Sequence, residues 1–496
     1  MKLSVLDLIV FIILTFGSVI FGTSFFFKNK TSSQFTSGGG KLPGWIVGIS
    51  LFAAFLSSIS FLGLPGKAYM SNWNAFTFSL SIPIAAILSV KFFIPLYRGL
   101  GSISAYNYLE VRFGAWARIY GSTCYILTQL MRIGAILLLL ALTLNALFGW
   151  DIRIIIIVTG IAVTLYSMLG GIQAVIWTDA IQAIILIVGA VVCAIILTFS
   201  MPEGPGQIFE IAAAKHKFSL GSFGPSLKDS TFWVVLIYGL FINLQNFGID
   251  QSYVQRYMTT SSEKVAKSSA LFGYLLYIPI SLLLFYIGTV LFAYYTAQPD
   301  LLPPELKVPG SGDSVFPYFI ANVLPKGIKG LLIASIFAAG MSNVSTSING
   351  TATIILYDYY KRYFNKNANE KSSMKVLYSS SLIFGALGVI IALSLVGVES
   401  ILDAWWILAS IFSGGMLGLF LLGYISKSAR NIDAFIGMIV GVLFIIWMSL
   451  SPIYFTEGNL LAIRSPFHGD LTIVFGTLAI TLVGFFLAKL FSKKTI

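Results

Sequence analysis

The sequence predicts an all-α polytopic membrane protein, and three observations carry that class. Of its 496 residues, 57% are hydrophobic and only 10% charged, a balance that soluble domains do not reach. Thirteen apolar stretches are each long enough to cross a bilayer as a helix. Between them no segment of soluble-domain size remains, so residues 1–496 are read as one membrane-embedded domain.

In chain order the spans run over 5–26, 44–71, 73–97, 119–147, 153–169, 174–199, 231–254, 268–296, 328–356, 376–398, 401–425, 432–453 and 470–490. The first is too long for a signal-peptide core and lacks a convincing cleavage site, so it is a retained span. An odd number of crossings places the termini on opposite sides. Of the 31 basic residues, Lys67, Lys91 and Arg132 fall within spans. The loop set that includes Lys28, Lys41, Arg98, Arg112, Arg118, Arg256, Lys361, Arg362, Lys371, Lys427, Lys493 and Lys494 holds 19 of the rest. The other set, with Arg153, Lys217, Lys307, Lys329 and Arg464 among its members, holds 9. The excess of positive charge marks the cytoplasmic side. It predicts an inner (plasma) membrane protein with its N-terminus outside and its C-terminus in the cytoplasm. The net charge of +12 is therefore an orientation signal in the lipid bilayer, and nucleic acid is not expected as a partner. Cys124 and Cys193 both lie inside apolar spans, so no disulfide framework is indicated. The loops 200–230 and 298–327 are the longest external ones and have room for short surface helices.

Span 2 contains Gly63, Pro65 and Gly66, preceded by Ser57, Ser58 and Ser60. Proline removes a ladder donor and glycine weakens a helix, so an interruption is expected there. Span 7 carries Asn243, Gln245, Asn246, Gly248 and Asp250 where a plain span would be apolar. Two interrupted polar spans, five apart in order, point to an inverted repeat with a binding site near the membrane midplane. Residues 44–199 would then form the first repeat and 231–425 the second. The helix 5–26 and the two C-terminal helices with their basic tail (432–496) would be additions. Glycine and proline are also common in ordinary membrane helices, which is the plainer reading.

Span 9 places Ser335, Ser342, Ser345, Thr346 and Asn349 at helical spacings of three, four and seven, beside Ala338, Ala339 and Gly340. Such a face serves tight helix packing, or it offers uncharged oxygens to a sodium ion. Asp179 in span 6 is either a sodium ligand or a carboxylate that reaches water at the membrane edge. Arg132 in span 4 cannot shed its charge. It either grips a substrate carboxylate through two parallel hydrogen bonds or pairs structurally, with Asp250 as one partner. Lys67, Lys91 and Asp7 are placed near span ends with no role, and Trp405 and Trp406 are expected to pack. His216 and His468 are both in external loops, so no proton-relay histidine is expected in the membrane. No nucleophile elbow or metal-ligand spacing is present, so an enzyme is not expected.

These residues are similar to a known pattern. LGLPG at Leu62–Gly66, the run Leu165–Asp179 with its Gly170-Gly171 pair, DQSYVQRY at Asp250–Tyr257 and AAGMSNVSTSIN at Ala338–Asn349 together resemble the solute:sodium symporters. The likeness covers nearly the whole chain and is greatest to the bacterial sodium/sialic acid symporters. It implies a five-plus-five inverted-repeat core of the neurotransmitter-symporter type and sodium-coupled import of a small organic solute by alternating access. Sialic acid is the substrate it implies first; proline, a monocarboxylate or a neutral sugar are the alternatives, and a transporter-like membrane sensor is a further one. By the resemblance, one sodium site takes the carbonyls of Ala53, Leu56 and Ala339 and the hydroxyl of Ser342. Its last ligand, a Ser or Thr hydroxyl in the family, is Asn343 here, whose amide reaches further. A second sodium ion would use Asp179, Ser342, Ser345 and Thr346. The substrate would lie against Ser57, Ser60, Phe78, Ser79, Arg132 and Asn243, with Gln245 and Asn246 as weaker candidates. Ile172 follows the glycine pair where Leu, Met or Phe is usual, a conservative change. No obligate protein partner is evident.

Overall fold

A computed structural model describes residues 4–27, 30–308, 311–397 and 414–492. Among these residues every regular element is helical and no strand occurs. Ten of the helices are long and apolar enough to cross a bilayer, and the bent pair formed by Gly44–Phe55 with the helix that ends at Met70 adds an eleventh crossing. Of the predicted crossing 401–425, only the helix Gly414–Ile425 is described. Its first half, with Trp405 and Trp406, lies outside the described residues, as do Lys28, Lys493 and Lys494.

The helix Ile152–Phe199 is 48 residues long, about 70 Å at 1.5 Å per residue. That is more than twice the hydrocarbon core, so it must hold two crossings, the predicted spans 5 and 6. The chain turns back at Gly171, whose φ of 53° and ψ of −157° lie outside helical space. The helix Ile328–Ile354 of span 9 records the reversal. Before the turn, Ile155 and Thr159 share a cavity wall with Phe337 and Met341, and Ser167 donates to the Ser345 carbonyl (3.1 Å). Numbers on the two segments rise together. After the turn, Asp179 meets Ser342, whereas Gly189 lies against Leu332 and Ser335; the order is inverted. Two antiparallel spans thus flank one face of the hydroxyl-bearing helix.

Span 2 is interrupted, but not at Pro65. Its first half is the helix Gly44–Phe55 and its second the helix Ser58–Met70. The two are bent by 54°. The break is at Leu56 and Ser57, which have extended backbone angles. Ser57 explains the position: its hydroxyl accepts from the Ser60 N–H at 3.2 Å and caps the second half. Pro65 sits inside that second half, where the helix continues around it. Span 7 breaks at Asp250, between the helices Phe232–Ile249 and Gln251–Tyr257. The Asp250 carboxylate accepts from the Ser252 N–H (2.7 Å), so the residue that ends one half starts the other.

The loops segregate into two faces. On one, Arg98 donates to the Thr260 carbonyl (3.1 Å), Leu42 N–H to Thr259 (2.9 Å) and Arg112 to Ser426 (2.7 Å). There Glu110 pairs with Arg118 (2.7 Å) and Arg362, and Asp358 pairs with Arg118 (2.6 Å). On the other, His468 N–H donates to Leu227 (2.9 Å) and Trp73 N–H to Ser219 (2.9 Å). The two long loops of this face do carry short helices, Gly206–Ala214 and Gly312–Asn322. Lys217 is not a free loop cation. It is buried, caps the end of span 2 by donating to the Tyr69 (2.6 Å) and Ser71 (2.8 Å) carbonyls, and lies 3.8 Å from the Phe292 ring centre. Burial pushes its ammonium down to about 8. Asp7 lies in the first turn of span 1, near the span end as expected, but it is buried, and its carboxylate accepts from the Gly327 (2.6 Å) and Gly330 (3.1 Å) N–H groups, tying span 1 to the start of span 9.

A Cβ at position 171 would lie 2.8 Å from the Phe35 carbonyl oxygen, in a backbone region that side chains avoid. Gly171→Ala should therefore lower stability by about 1–3 kcal/mol, read as a reduced midpoint in thermal unfolding of the detergent-purified protein. An unchanged midpoint would mean that the reversal does not depend on this residue.

Candidate functional site

Span 9 is enclosed on all sides: every residue from Leu332 to Ile354 is buried. Its polar stripe meets a different neighbour at each turn. Ser335 donates to the Leu331 carbonyl of its own helix (2.8 Å). Ser342 donates to Asp179 Oδ1 (2.6 Å), Thr346 accepts from Arg256 (2.8 Å), and Asn349 accepts from Gln255 (2.8 Å). The packing reading holds for most of the stripe, and Ser342 reaches a site.

Arg256 corrects the sequence reading. Counted there as a cytoplasmic loop cation, it is fully buried and paired with the fully buried Asp179 at 2.7 Å. Without it the loop split becomes 18 to 9, and the sign is unchanged. Its Nε donates to the Ser50 hydroxyl (2.8 Å) and Nη1 to the Ser252 carbonyl (2.7 Å). Ser50 in turn donates to Asp179 Oδ2 (2.8 Å). A carboxylate that reaches water is thereby excluded for Asp179. The pair joins span 6 to the second half of span 7, and its hydrogen bonds add spans 2 and 9.

One helical turn from this pair is a cavity of about 10 Å³ lined by Phe52, Ala53, Leu56, Gln182, Ala183, Leu186, Ala339 and Ser342. It is close to the smallest space that holds one water-sized particle. Four of the predicted residues for the first sodium site, Ala53, Leu56, Ala339 and Ser342, meet here. The break in span 2 supplies the reason: a helix ending at Phe55 leaves its last carbonyls without ladder partners. Ser342 spends its hydrogen on Asp179, so its oxygen lone pairs remain available. Gln182 was missed by the sequence reading. It is buried, and its Oε1 has no hydrogen-bond partner. Its place three residues after Asp179, on the same helix face, was the available signal. Asn343 does not line this cavity: its Nδ2 donates to the Ala339 carbonyl (2.9 Å), and its Oδ1 accepts from Arg132. For the second predicted ion, Asp179, Ser342 and Thr346 fall in one cluster, with the Arg256 guanidinium among them. Ser345 donates back to the Ser342 carbonyl (3.0 Å).

A larger cavity, about 270 Å³, opens beside the two breaks. Six of the predicted substrate residues line it: Ser57, Ser60, Phe78, Arg132, Gln245 and Asn246. Two do not. Ser79 is buried against Ser281 of span 8 (2.8 Å), and Asn243 donates to the Ser81 hydroxyl of span 3 (3.0 Å). Among the described residues, no carboxylate lies within 4 Å of the Arg132 guanidinium. The predicted structural pair with Asp250 is therefore not formed, although Asp250 lines the same cavity. Phe55 forms an aromatic wall with Tyr277 (ring centres 4.5 Å apart) and Phe78 (6.3 Å). Tyr106, Tyr125 and Gln129 were not anticipated, nor was Asp470, at the start of span 13.

Comparison with known proteins places the chain in a family. The model of the sodium:solute symporter family matches residues 35–441. The chain is 33% identical over 479 residues to the sodium/sialic acid symporter NanT of Aliivibrio fischeri, covering 95% of this chain and 91% of that protein. It is 35% identical over 478 residues to the sodium/sialic acid symporter SiaT of Proteus mirabilis, covering 96% and 93%. A solved structure of a Na+-coupled sialic acid symporter, in a substrate-bound outward-open state, superposes with a TM-score of 0.90 at 32% identity over 99% of each chain.

The ion pair yields a test of its own. Arg256→Met leaves a buried carboxylate uncompensated and should destabilise the purified protein by about 3–5 kcal/mol. Arg256→Met combined with Asp179→Leu should recover most of that loss in the same unfolding measurement. If the double variant is as unstable as the single, the cost does not come from the orphaned charge.

Proposed function

The chain belongs to the sodium:solute symporter family, and from that premise we propose that it imports sialic acid, an acidic sugar, together with sodium ions. It is a multi-pass membrane transporter, and sodium is the co-transported ion. Arg132 carries the substrate reading. Its guanidinium lines a cavity together with hydroxyls, amides, aromatic rings and the carboxyl groups of Asp250 and Asp470, and among the described residues no carboxylate lies within 4 Å of it. A substrate carboxylate fits that fork. The Ser57 and Ser60 hydroxyls and the Gln245 and Asn246 amides offer partners for sugar hydroxyls, and the Phe55–Tyr277 wall covers the apolar side. The identity to two sodium/sialic acid symporters along almost their full length supports the same substrate.

In the cycle we infer, sodium enters the small cavity at the break of span 2 and draws that break onto span 9. This fixes Ser57 and Ser60 in the wall of the substrate cavity. Substrate then favours occlusion, and the repeats 44–199 and 231–425 rock about the site. Coupling requires only that the ions bind one state more tightly than the other. The basic face carrying Arg98, Arg112 and Lys361 is the cytoplasmic one in an inner membrane, with the N-terminus outside. Two sodium ions with one anion carry one net positive charge inward. A tenfold sodium gradient contributes about 1.4 kcal/mol per ion, and a potential of about 100 mV adds roughly 2.3 kcal/mol. Together these hold a substrate gradient of several thousandfold, whereas one ion would leave the transfer electroneutral.

Calorimetric titration of the purified protein with N-acetylneuraminate should show binding in sodium buffer and at least about tenfold weaker binding in potassium or choline. Equal binding in all three would refute the coupling. Arg132→Ala should lose about 2–5 kcal/mol of that binding with an unchanged unfolding midpoint; retained affinity would remove the carboxylate fork. Ser345→Ala leaves the Asp179–Arg256 pair intact and should bring the sodium Hill coefficient from about two to about one. A coefficient that does not move would argue against the second ion site.

A further inference from the structure

Asn343 stands between the two cavities and is held by both. Its Nδ2 donates to the Ala339 carbonyl at 2.9 Å, and its Oδ1 accepts from Nη2 of Arg132. Ala339 is one of the residues around the small cavity, and its carbonyl is a ligand in the proposed sodium site. In the helix Ile328–Ile354 that carbonyl also takes the ladder hydrogen of residue 343. A carbonyl has two lone pairs, so both are engaged. A cation that draws on this oxygen competes with the Asn343 amide. A carboxylate that takes both arms of the Arg132 fork competes with the Asn343 oxygen.

We propose that Asn343 is a latch that couples sodium binding to substrate binding, a positioning role for a side chain that the sequence pattern assigns as a direct sodium ligand. Either ligand must turn the same amide away from its present partners. The first to arrive bears that cost, and the second finds its site already released, which is positive cooperativity. Linkage makes the effect reciprocal: sodium improves substrate affinity by the factor by which substrate improves sodium affinity. Gln182, with its unpartnered Oε1 at the same cavity, leaves the cation an amide oxygen that does not have to move. The latch rests on the sodium-coupled reading, but its sodium half does not depend on which anion is carried.

The test uses Asn343→Ala and Asn343→Ser in the full chain; neither side chain can reach Arg132. Tryptophan fluorescence is titrated with sodium against choline at constant ionic strength, without substrate and then with saturating N-acetylneuraminate. Without substrate, both variants should half-saturate at about fivefold lower sodium or less, because the Ala339 carbonyl is released in advance. The sodium-dependent gain in N-acetylneuraminate affinity should shrink by about fivefold or more. A side chain that merely supports the fold would weaken both ligands and lower the unfolding midpoint. Variants with the wild-type midpoint and unchanged or weaker sodium binding would overturn the latch. If the wild-type protein ignores N-acetylneuraminate, the substrate reading fails, while the substrate-free titration still decides the latch.

Discussion

The buried pair of Asp179 and Arg256 is the interaction on which the rest of the core depends. Both side chains are wholly enclosed, and neither charge could persist there alone. Each therefore fixes the other, and with the partners they recruit they join four segments of chain, span 6 through Asp179 itself. Ser50 comes from the first half of span 2, Ser252 from the second half of span 7, and Ser342 and Thr346 from span 9. The pair also determines what the neighbouring cavity can be. Arg256 already balances the carboxylate, and the described residues around the cavity at Ala53, Leu56, Ala339 and Ser342 carry no formal charge. Ser342 belongs to both: it gives its hydrogen to Asp179 and keeps its lone pairs for the cavity.

The two helix breaks follow from the same shortage of water. Backbone groups at membrane depth that lack ladder partners persist only where protein or a cavity satisfies them. At Leu56 the carbonyl end of Gly44–Phe55 faces the small cavity, and the partial negative charge of a helix C-terminus is suited to a cation. Before Asp250 the carbonyls that end the first half of span 7 are taken by side chains: Phe247 accepts from Ser89 and Tyr257, and Gly248 accepts from Tyr97. One break therefore leaves oxygens available and the other does not. This asymmetry supports the proposed placement of the ion at span 2 without appeal to symmetry between the halves.

Much of this was legible in the sequence because it depends on local chemistry. Apolar length gave the crossings, and the Gly170-Gly171 pair marked the gap between spans 5 and 6, which the structure resolves into a reversal at one residue. The misplaced features share a different cause. Pro65 was taken as the breaking residue, but a capping serine eight positions earlier set the break; a helix interior absorbs a proline more readily than the sequence suggests. Arg256 was read as a loop cation, since its partner lies in another span and hydropathy carries no pairing information. Ser79 and Phe78 are adjacent, yet successive residues on a helix are turned by about 100°, and only Phe78 faces the cavity. For Asn343 the residue type was plain, but which of its amide atoms met which neighbour could not be read without Arg132 beside it.

The charge at the larger cavity gives a reason for coupling that does not depend on any single hydrogen bond. Among the described residues its lining holds one guanidinium, Arg132, and two carboxyl groups, Asp250 and Asp470. An anion that enters finds a fork of the right shape in a setting with no surplus of positive charge. The fork supplies direction, and the missing charge has to come from elsewhere. Sodium at the proposed neighbouring site would bring it, in a medium where charges are felt more strongly than in water. The small cavity lies among spans 2, 6 and 9, and span 9 also carries Asn343, the partner of Arg132. Ion and anion therefore act on one helix from adjacent sides, and a state that holds both is favoured over a state that holds either alone.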